Sequence, residues 1–329
     1  MKLSSLKLIP AAAAIALLCA TGNASAAAYG YSYNNVFGLI INNPTGVVSV
    51  AGVTTVSRST ATLGAASVIR GGAGFLDAPQ SALGAVTKGE NNFTPQGQGG
   101  PSYSRGDAQI ISTQFRPFPP GATSTHKANV AEAFLAGAGT ADASGRNGST
   151  TGLSVLFSVA SPTATLSFNF SADPYMAVFL DAMAGLGSTA TANLVVSFSI
   201  TNAAGVNVFN WTPDGVLGSG IFGGAESADG ANLNTNLSTS TLTKGTPFTF
   251  NPSPCPVPTG TGTSTACGAA FAALTTPLSA GNYTLTLNTI ESVDLVITQQ
   301  VPEPGTLALL GLGLAGLCLG GRRGARPAA

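Results

Sequence analysis

Charge is the scarcest property of this 329-residue chain: Asp, Glu, Lys and Arg together make up 8% of it, against about 25% in an ordinary soluble domain. That deficit argues against a cytoplasmic enzyme. The 13 acidic and 13 basic residues cancel and the chain is 44% hydrophobic, which excludes disorder sustained by high net charge and low hydrophobicity. There is one histidine and one tryptophan. A His-Glu-x-x-His zinc site needs two histidines, and a Ser-His-Asp or Cys-His arrangement would have to be built on His126, beside Lys127 at the end of a proline-rich stretch. No Gly-x-Ser-x-Gly nucleophile elbow occurs. Long apolar runs are confined to the two ends, which excludes a polytopic membrane protein. What fills the chain instead is Ala, Ser, Thr and Gly, with 42 glycines and 20 prolines. These are the proportions of a folded, weakly charged, exported protein.

Both ends read as addressing segments. Residues 1–26 contain Lys2 and Lys7, an apolar run from Leu8 to Ala20, and Ala24-Ser25-Ala26 as the cleavage point, the order of parts in a secretory signal. The run is shorter than the roughly 20 apolar residues of a retained anchor. Cys19 follows Leu18 inside that run, where a lipid-attachment motif has a small residue. At the other end, Val301-Pro302-Glu303-Pro304-Gly305 precedes 16 uncharged residues, Thr306 to Gly321, followed by Arg322, Arg323 and Arg326. As a transmembrane helix that stretch would span roughly 24 Å, slightly short of a hydrocarbon core about 30 Å thick. The arginines hold the C-terminus on the cytoplasmic side, so the body lies across the membrane.

Pro-Glu-Pro motif, apolar helix and basic cluster, in that order, resemble the PEP-CTERM sorting signal. The resemblance implies that Val301, Pro302, Glu303 and Pro304 are read by a membrane-embedded exosortase that cuts near the motif. It also implies transient anchoring in the inner membrane of a Gram-negative bacterium, then delivery to the cell surface or extracellular matrix in association with exopolysaccharide, biofilm or floc. Two strings inside the body, Asn92 to Gln98 and Asn129 to Leu135, are similar to strings of one PEP-CTERM subfamily to which no chemistry attaches.

The body that remains, residues 27–300, carries eight Lys/Arg against 12 Asp/Glu, and residues 147–300 hold Lys244 as their single basic residue against seven acidic ones. Nucleic acid is excluded as a partner, since phosphate binding needs clustered Lys and Arg. Divalent cations are compatible with this field. Cys255 and Cys267 alone survive removal of the ends, and in an oxidising compartment they form one disulfide across a Pro/Thr/Gly loop. Alternation at Leu166, Phe168 and Phe170 and at Leu194, Val196, Phe198 and Ile200 predicts half-buried strands. Leu285 and Leu287, then Val293, Leu295 and Ile297, predict a terminal hairpin turning between Asn288 and Ser292. The expected architecture is an antiparallel, jelly-roll-like β-sandwich, interrupted by an irregular insertion at 84–146 that contains one short helix, Lys127 to Ala136, and a long loop at 84–125.

Chemistry is sparse in this body. Gly218, Gly220 and Gly223 spell Gly-x-Gly-x-x-Gly, but no amphipathic helix follows and no acidic residue lies about 20 positions on, so the motif has no dinucleotide to hold. Asp214, Glu226 and Asp229, with Asn232, Asn234 and Asn236 nearby, put oxygen donors in loops of the acidic half, the ligand type of Ca²⁺. Turn chemistry accounts for the same residues without an ion. Asp173 and Asp181 could join them as the paired carboxylates of a glycoside hydrolase. Phe209 and Trp211, two residues apart on one strand face, serve either as core or as an exposed platform for a sugar ring. The resulting expectation is a non-catalytic envelope or matrix protein that contacts polysaccharide or other envelope proteins. The alternatives are a carbohydrate- or calcium-dependent adhesion module and a secreted hydrolase.

Overall fold

Period-2 alternation dominates the body, and strands are what it builds. The computed structural model describes residues 26–110, 125–142, 149–252 and 268–298, and no helix occurs among them. The central element is β8 (Ser149–Leu180), 32 residues long. Its first part is flanked by β2 (Val48–Leu63) and β16 (Leu278–Ile297), its second part by β1 (Ala28–Thr45) on one side and by β15 (Ala269–Thr275) and β14 (Phe248–Phe250) on the other. One strand thus serves two sheets. Pro162 lies between the last β2 pair at Val159 and the first β1 pair at Thr165, where its missing N–H interrupts neither of these ladders. The β1–β2 hairpin turns beside this point at Gly46, whose φ of 76° and approach to the Thr163 carbonyl, 2.1 Å from where a Cβ would sit, admit glycine alone.

The first sheet runs β4 (Asp77–Gly84), β5 (Tyr103–Ile110), β6 (Thr125–Leu135), β1, β8, β15, β12 (Gly224–Asp229). The second runs β3 (Ala66–Ala73), β2, β8, β16, β9 (Thr189–Asn202), β10 (Asn207–Trp211), β11 (Ile221–Phe222), with β13 (Asn234–Ser240) along the early half of β9. β7 (Gly139–Asp142) bridges the ends of β2 and β16. Every pairing among the described residues is antiparallel, and the shared strands make the sheet nearly barrel-like. The jelly-roll order is not followed: β4–β5–β6 and β9–β10–β11 are meanders of consecutive strands.

The sheets face each other across an aromatic core. Phe168 and Phe170 from the first sheet meet Phe198, Phe209 and Trp211 from the second, with ring centroids 5.3 Å apart for Phe168–Phe209 and 5.6 Å for Phe170–Trp211. Each such ring contributes about 1.5–3 kcal/mol by burial, and each ring pair roughly 0.5–1.5 kcal/mol more.

Three sequence expectations are corrected. Lys127 to Ala136 is not a helix, because β6 occupies Thr125–Leu135. Both faces of that strand are buried, so apolar and polar residues do not alternate, and its alanines carry helix propensity that the cross-strand ladders to β1 and β5 override. The 84–146 segment is correspondingly no insertion: β5, β6 and β7 lie within it, and the long loop contracts to 85–102 among the described residues. The hairpin expected between Asn288 and Ser292 is uninterrupted β16, whose Thr289 and Glu291 are buried rather than exposed in a turn. Residues 1–25 and 299–329, and Cys255 and Cys267 with their proposed bond, lie outside the described residues, as does the C-terminal helix.

On its other face the first sheet carries a second apolar cluster, Tyr29, Tyr31, Tyr33, Phe93, Tyr103, Val130 and Phe134, with the 85–102 loop drawn across it. Glu132 is the anchor. It accepts from Arg105 Nε at 2.7 Å, from the hydroxyls of Tyr29 and Tyr103 at 2.9 Å each, and from the Gln96 and Gly97 amides. Arg105 donates onward to the Asn92 and Thr94 carbonyls at 2.7 Å, and Tyr31 donates to the Phe93 carbonyl. The two strings with subfamily resemblance, Asn92 to Gln98 and Asn129 to Leu135, are therefore the two halves of one buried polar knot. Both charged side chains are fully buried, so removing one partner strands the other in low dielectric. Glu132→Gln should lower unfolding free energy by about 3–5 kcal/mol and speed tryptic cleavage after Lys88 in the released loop; urea titration and limited proteolysis measure both.

Candidate functional site

Two features remain after the core and the knot are accounted for. The first is the outer face of the second sheet. Strand register lines up Ser199, Thr286, Ser154 and Thr54 across β9, β16, β8 and β2 in one row, with Thr201, Thr284, Leu156 and Gly52 in the next. A third row runs Ser197, Asn288, Gly152, Val56. None of these side chains is charged. Neighbouring strands lie about 4.7–4.9 Å apart, so the hydroxyls form a regularly spaced array, stiffened at the threonines by β-branching. At one end the array opens into a depression of about 400 Å³ lined by Ala51, Leu156, Ser158, Ala203, Asn282 and Thr284. Its floor is the stacked pair Phe157 and Tyr283, centroids 5.4 Å apart.

The second feature is a carboxylate cluster that no spacing in the sequence announces. β4 supplies Asp77, the 85–102 loop Glu90, and β5 Asp107, each with an oxygen within 4.8 Å of the others. Asn91, held at φ 56°, ties them together: its amide donates to Asp107 Oδ2 at 2.7 Å and its Nδ2 to Asp77 Oδ2 at 2.9 Å. The Gln80 amide donates to Glu90 at 2.6 Å. Asp107 Oδ1 and Asn91 Oδ1 are buried and have no partner. Burial, and secondarily the Glu90 charge, push the Asp107 carboxyl up to about 7. Hard oxygen ligands with two unused oxygens suit a divalent cation such as Ca²⁺.

The residues singled out in the sequence behave otherwise. Asp214, Glu226 and Asp229 do converge, but Glu226 and Asp229 sit on strand β12 rather than in loops and, with Asp214, bind the amides of the 214–218 turn: Asp229 Oδ2 accepts from Asp214 and Gly215 at 3.0 and 2.9 Å, Glu226 Oε2 from Gly218 at 2.7 Å, and Asp214 Oδ1 from Val216 at 2.9 Å. This is the turn chemistry, with Gly218, Gly220 and Gly223 all at positive φ in the same segment. Asp173 lies near Tyr33, and Asp181 accepts from the Met183 amide just beyond β8, so neither joins the Asp214, Glu226 and Asp229 group. Phe209 and Trp211 are completely buried, and Trp211 donates its indole N–H to Glu226. As core residues they present no ring to a sugar.

The Asp107 carboxyl has its fold-bound pKa above the ordinary 3.8. Its contribution is therefore whole below that value and is lost as pH rises through about 7. Relative to Asp107→Asn, the wild-type melting temperature should fall across this interval without added cation, and millimolar Ca²⁺ should restore it in the wild type only. Scanning calorimetry at stepped pH with Ca²⁺ or chelator reads the difference.

Comparison with characterised proteins gives no match. Among solved structures, that of the infectious bursal disease virus Gx strain aligns with 90% of this chain and 75% of its own at 12% identity and a TM-score of 0.10, a likeness that carries no argument. A family model does match at the C-terminus, over residues 300–323, and takes in Pro302-Glu303-Pro304, the apolar stretch, Arg322 and Arg323. The chain carries the PEP-CTERM protein-sorting motif, the mark of an exported protein that is anchored through its C-terminus before exosortase processes it.

Proposed function

We propose that the exported body is a non-catalytic structural component of the cell envelope or extracellular matrix, and that it contacts neutral polysaccharide through the outer face of the second sheet. The observation that carries this reading is the uncharged hydroxyl array across β9, β16, β8 and β2. Sugars offer hydroxyl donors and acceptors at many points and apolar C–H faces between them, which Thr, Ser and Asn side chains around Leu156 complement without desolvating an ion. The adjoining depression falls in the size range of small-ligand sites. A second reading, calcium-dependent adhesion, draws its support from the Asp77, Glu90 and Asp107 cluster on the other sheet.

Thr286 is exposed on this face. Thr286→Lys should leave the melting temperature within a degree or two, because surface changes away from special features are nearly neutral, and should weaken retention on the producing organism's exopolysaccharide about tenfold in a pull-down. Equal retention of both proteins would rule the face out. The sorting motif makes an independent prediction: replacing Pro302, Glu303 and Pro304 by alanine should leave the intact chain in the inner membrane, whereas mass spectrometry of the unaltered protein should find a C-terminus near the motif.

A further inference from the structure

Between the sheets, beyond the aromatic core, four inward-facing polar side chains meet: Asn34 on β1, Lys127 and Asn129 on β6, and Glu291 on β16. All are at most 1% exposed. The register sets Asn34 opposite Asn129 and Val36 opposite Lys127, so Lys127 and Asn34 are diagonal neighbours on one face of adjacent strands. Diagonal neighbours stand roughly 7–8 Å apart at the backbone, within reach of a lysine's four-carbon stem. The Lys127 charge and a hydrogen bond from the Asn129 side chain both act on Glu291, and Asn129 Nδ2 also donates to the Thr289 carbonyl at 3.2 Å. Apart from that Asn129 contact the group is unpaired: Lys127 Nζ, both amide atoms of Asn34 and Asn129 Oδ1 have no hydrogen-bond partner. The buried Glu132–Arg105 pair on the other face of the same sheet, by contrast, has hydrogen-bond partners at both of its charged groups. A buried set left unpaired in the same fold calls for a chemical explanation.

We propose that Lys127 and Asn34 join in a self-catalysed isopeptide bond, with Glu291 as the proton-transfer group. The reaction needs no co-reactant. The neutral Lys127 Nζ attacks the Asn34 Cγ while Glu291, as the acid, hydrogen-bonds the amide and polarises it. A bond forms between Nζ and Cγ, and the bond from Cγ to Nδ2 breaks. Glu291 relays one Nζ proton to Nδ2, which departs as ammonia, and the glutamic acid is regenerated. Burial favours the required protonation states, lowering the Lys127 ammonium to about 7 and raising the Glu291 carboxyl well above its ordinary value. That pairing of neutral amine and protonated acid is what nucleophilic attack with general-acid assistance requires. The immobilised neighbours supply the proximity. The product staples β1 to β6 without cysteine and hardens a protein that works outside the cell. The inference stands on the interior alone, independent of the polysaccharide reading.

Tryptic mapping of the full chain, purified from the producing cells, tests it. The sequence has no cleavable site between Arg105 and Lys127, since Arg116 precedes Pro117. The expected product is a branched peptide joining the segment that ends at Arg58 to Gly106–Arg146, uncut after Lys127 and lighter by one ammonia. Glu291→Gln, folded by circular dichroism, should yield linear peptides only, with Gly106–Lys127 and Ala128–Arg146 separated by cleavage after Lys127. Wild-type peptides that are linear and cut after Lys127 would overturn the proposal whatever the variant does. Loss of ammonia confined to Gly106–Arg146 would overturn the cross-strand assignment to Asn34.

Discussion

A strand shared by two sheets constrains everything else in this fold. β8 lies between β2 and β16 over its first part and between β1 and β15 over its second, so neither sheet can form without the other's central strand. The consequence is a closed interior rather than two separable layers.

Burial decides how polar groups are treated on both sides of the first sheet. In the knot under the 85–102 loop, each oxygen of Glu132 has donors and each nitrogen of Arg105 has an acceptor, so the loop is welded to the sheet although it contains no strand. Low dielectric makes such a network strong when complete and costly when partial. The interior set around Lys127 and Glu291 is the partial case, in the same strand β6. A covalent outcome would resolve it by removing the amine's charge altogether.

The two outer faces differ in kind. That of the first sheet is covered by tyrosines, the loop and the carboxylate cluster, and is organised by charge. That of the second sheet carries uncharged, hydroxylated rows across β9, β16, β8 and β2. An exported protein sorted by its C-terminus has two chemically distinct faces to offer its surroundings, one suited to cations and one to neutral polymers.

Much of this was legible in the chain itself. Alternation at Leu166 to Phe170 and at Leu194 to Ile200 marked strands, because the side-chain period of a strand is local and one face of each was buried against apolar neighbours. Pro302-Glu303-Pro304, the apolar stretch and the arginines marked the sorting signal, because that signal is read as linear sequence. β6 was not legible, since burial on both faces removes the polarity contrast that reveals a strand. The polar residues of β16 read as a turn, since nothing local says that Glu291 meets Lys127 164 residues earlier in the chain. The same holds for Asp77, Glu90 and Asp107. Sequence alone determined the destination and the strand-forming character of this protein, both encoded by neighbours in the chain. Only the tertiary structure decided which charges face inward and which hydroxyls share a face, because register between distant strands sets those positions.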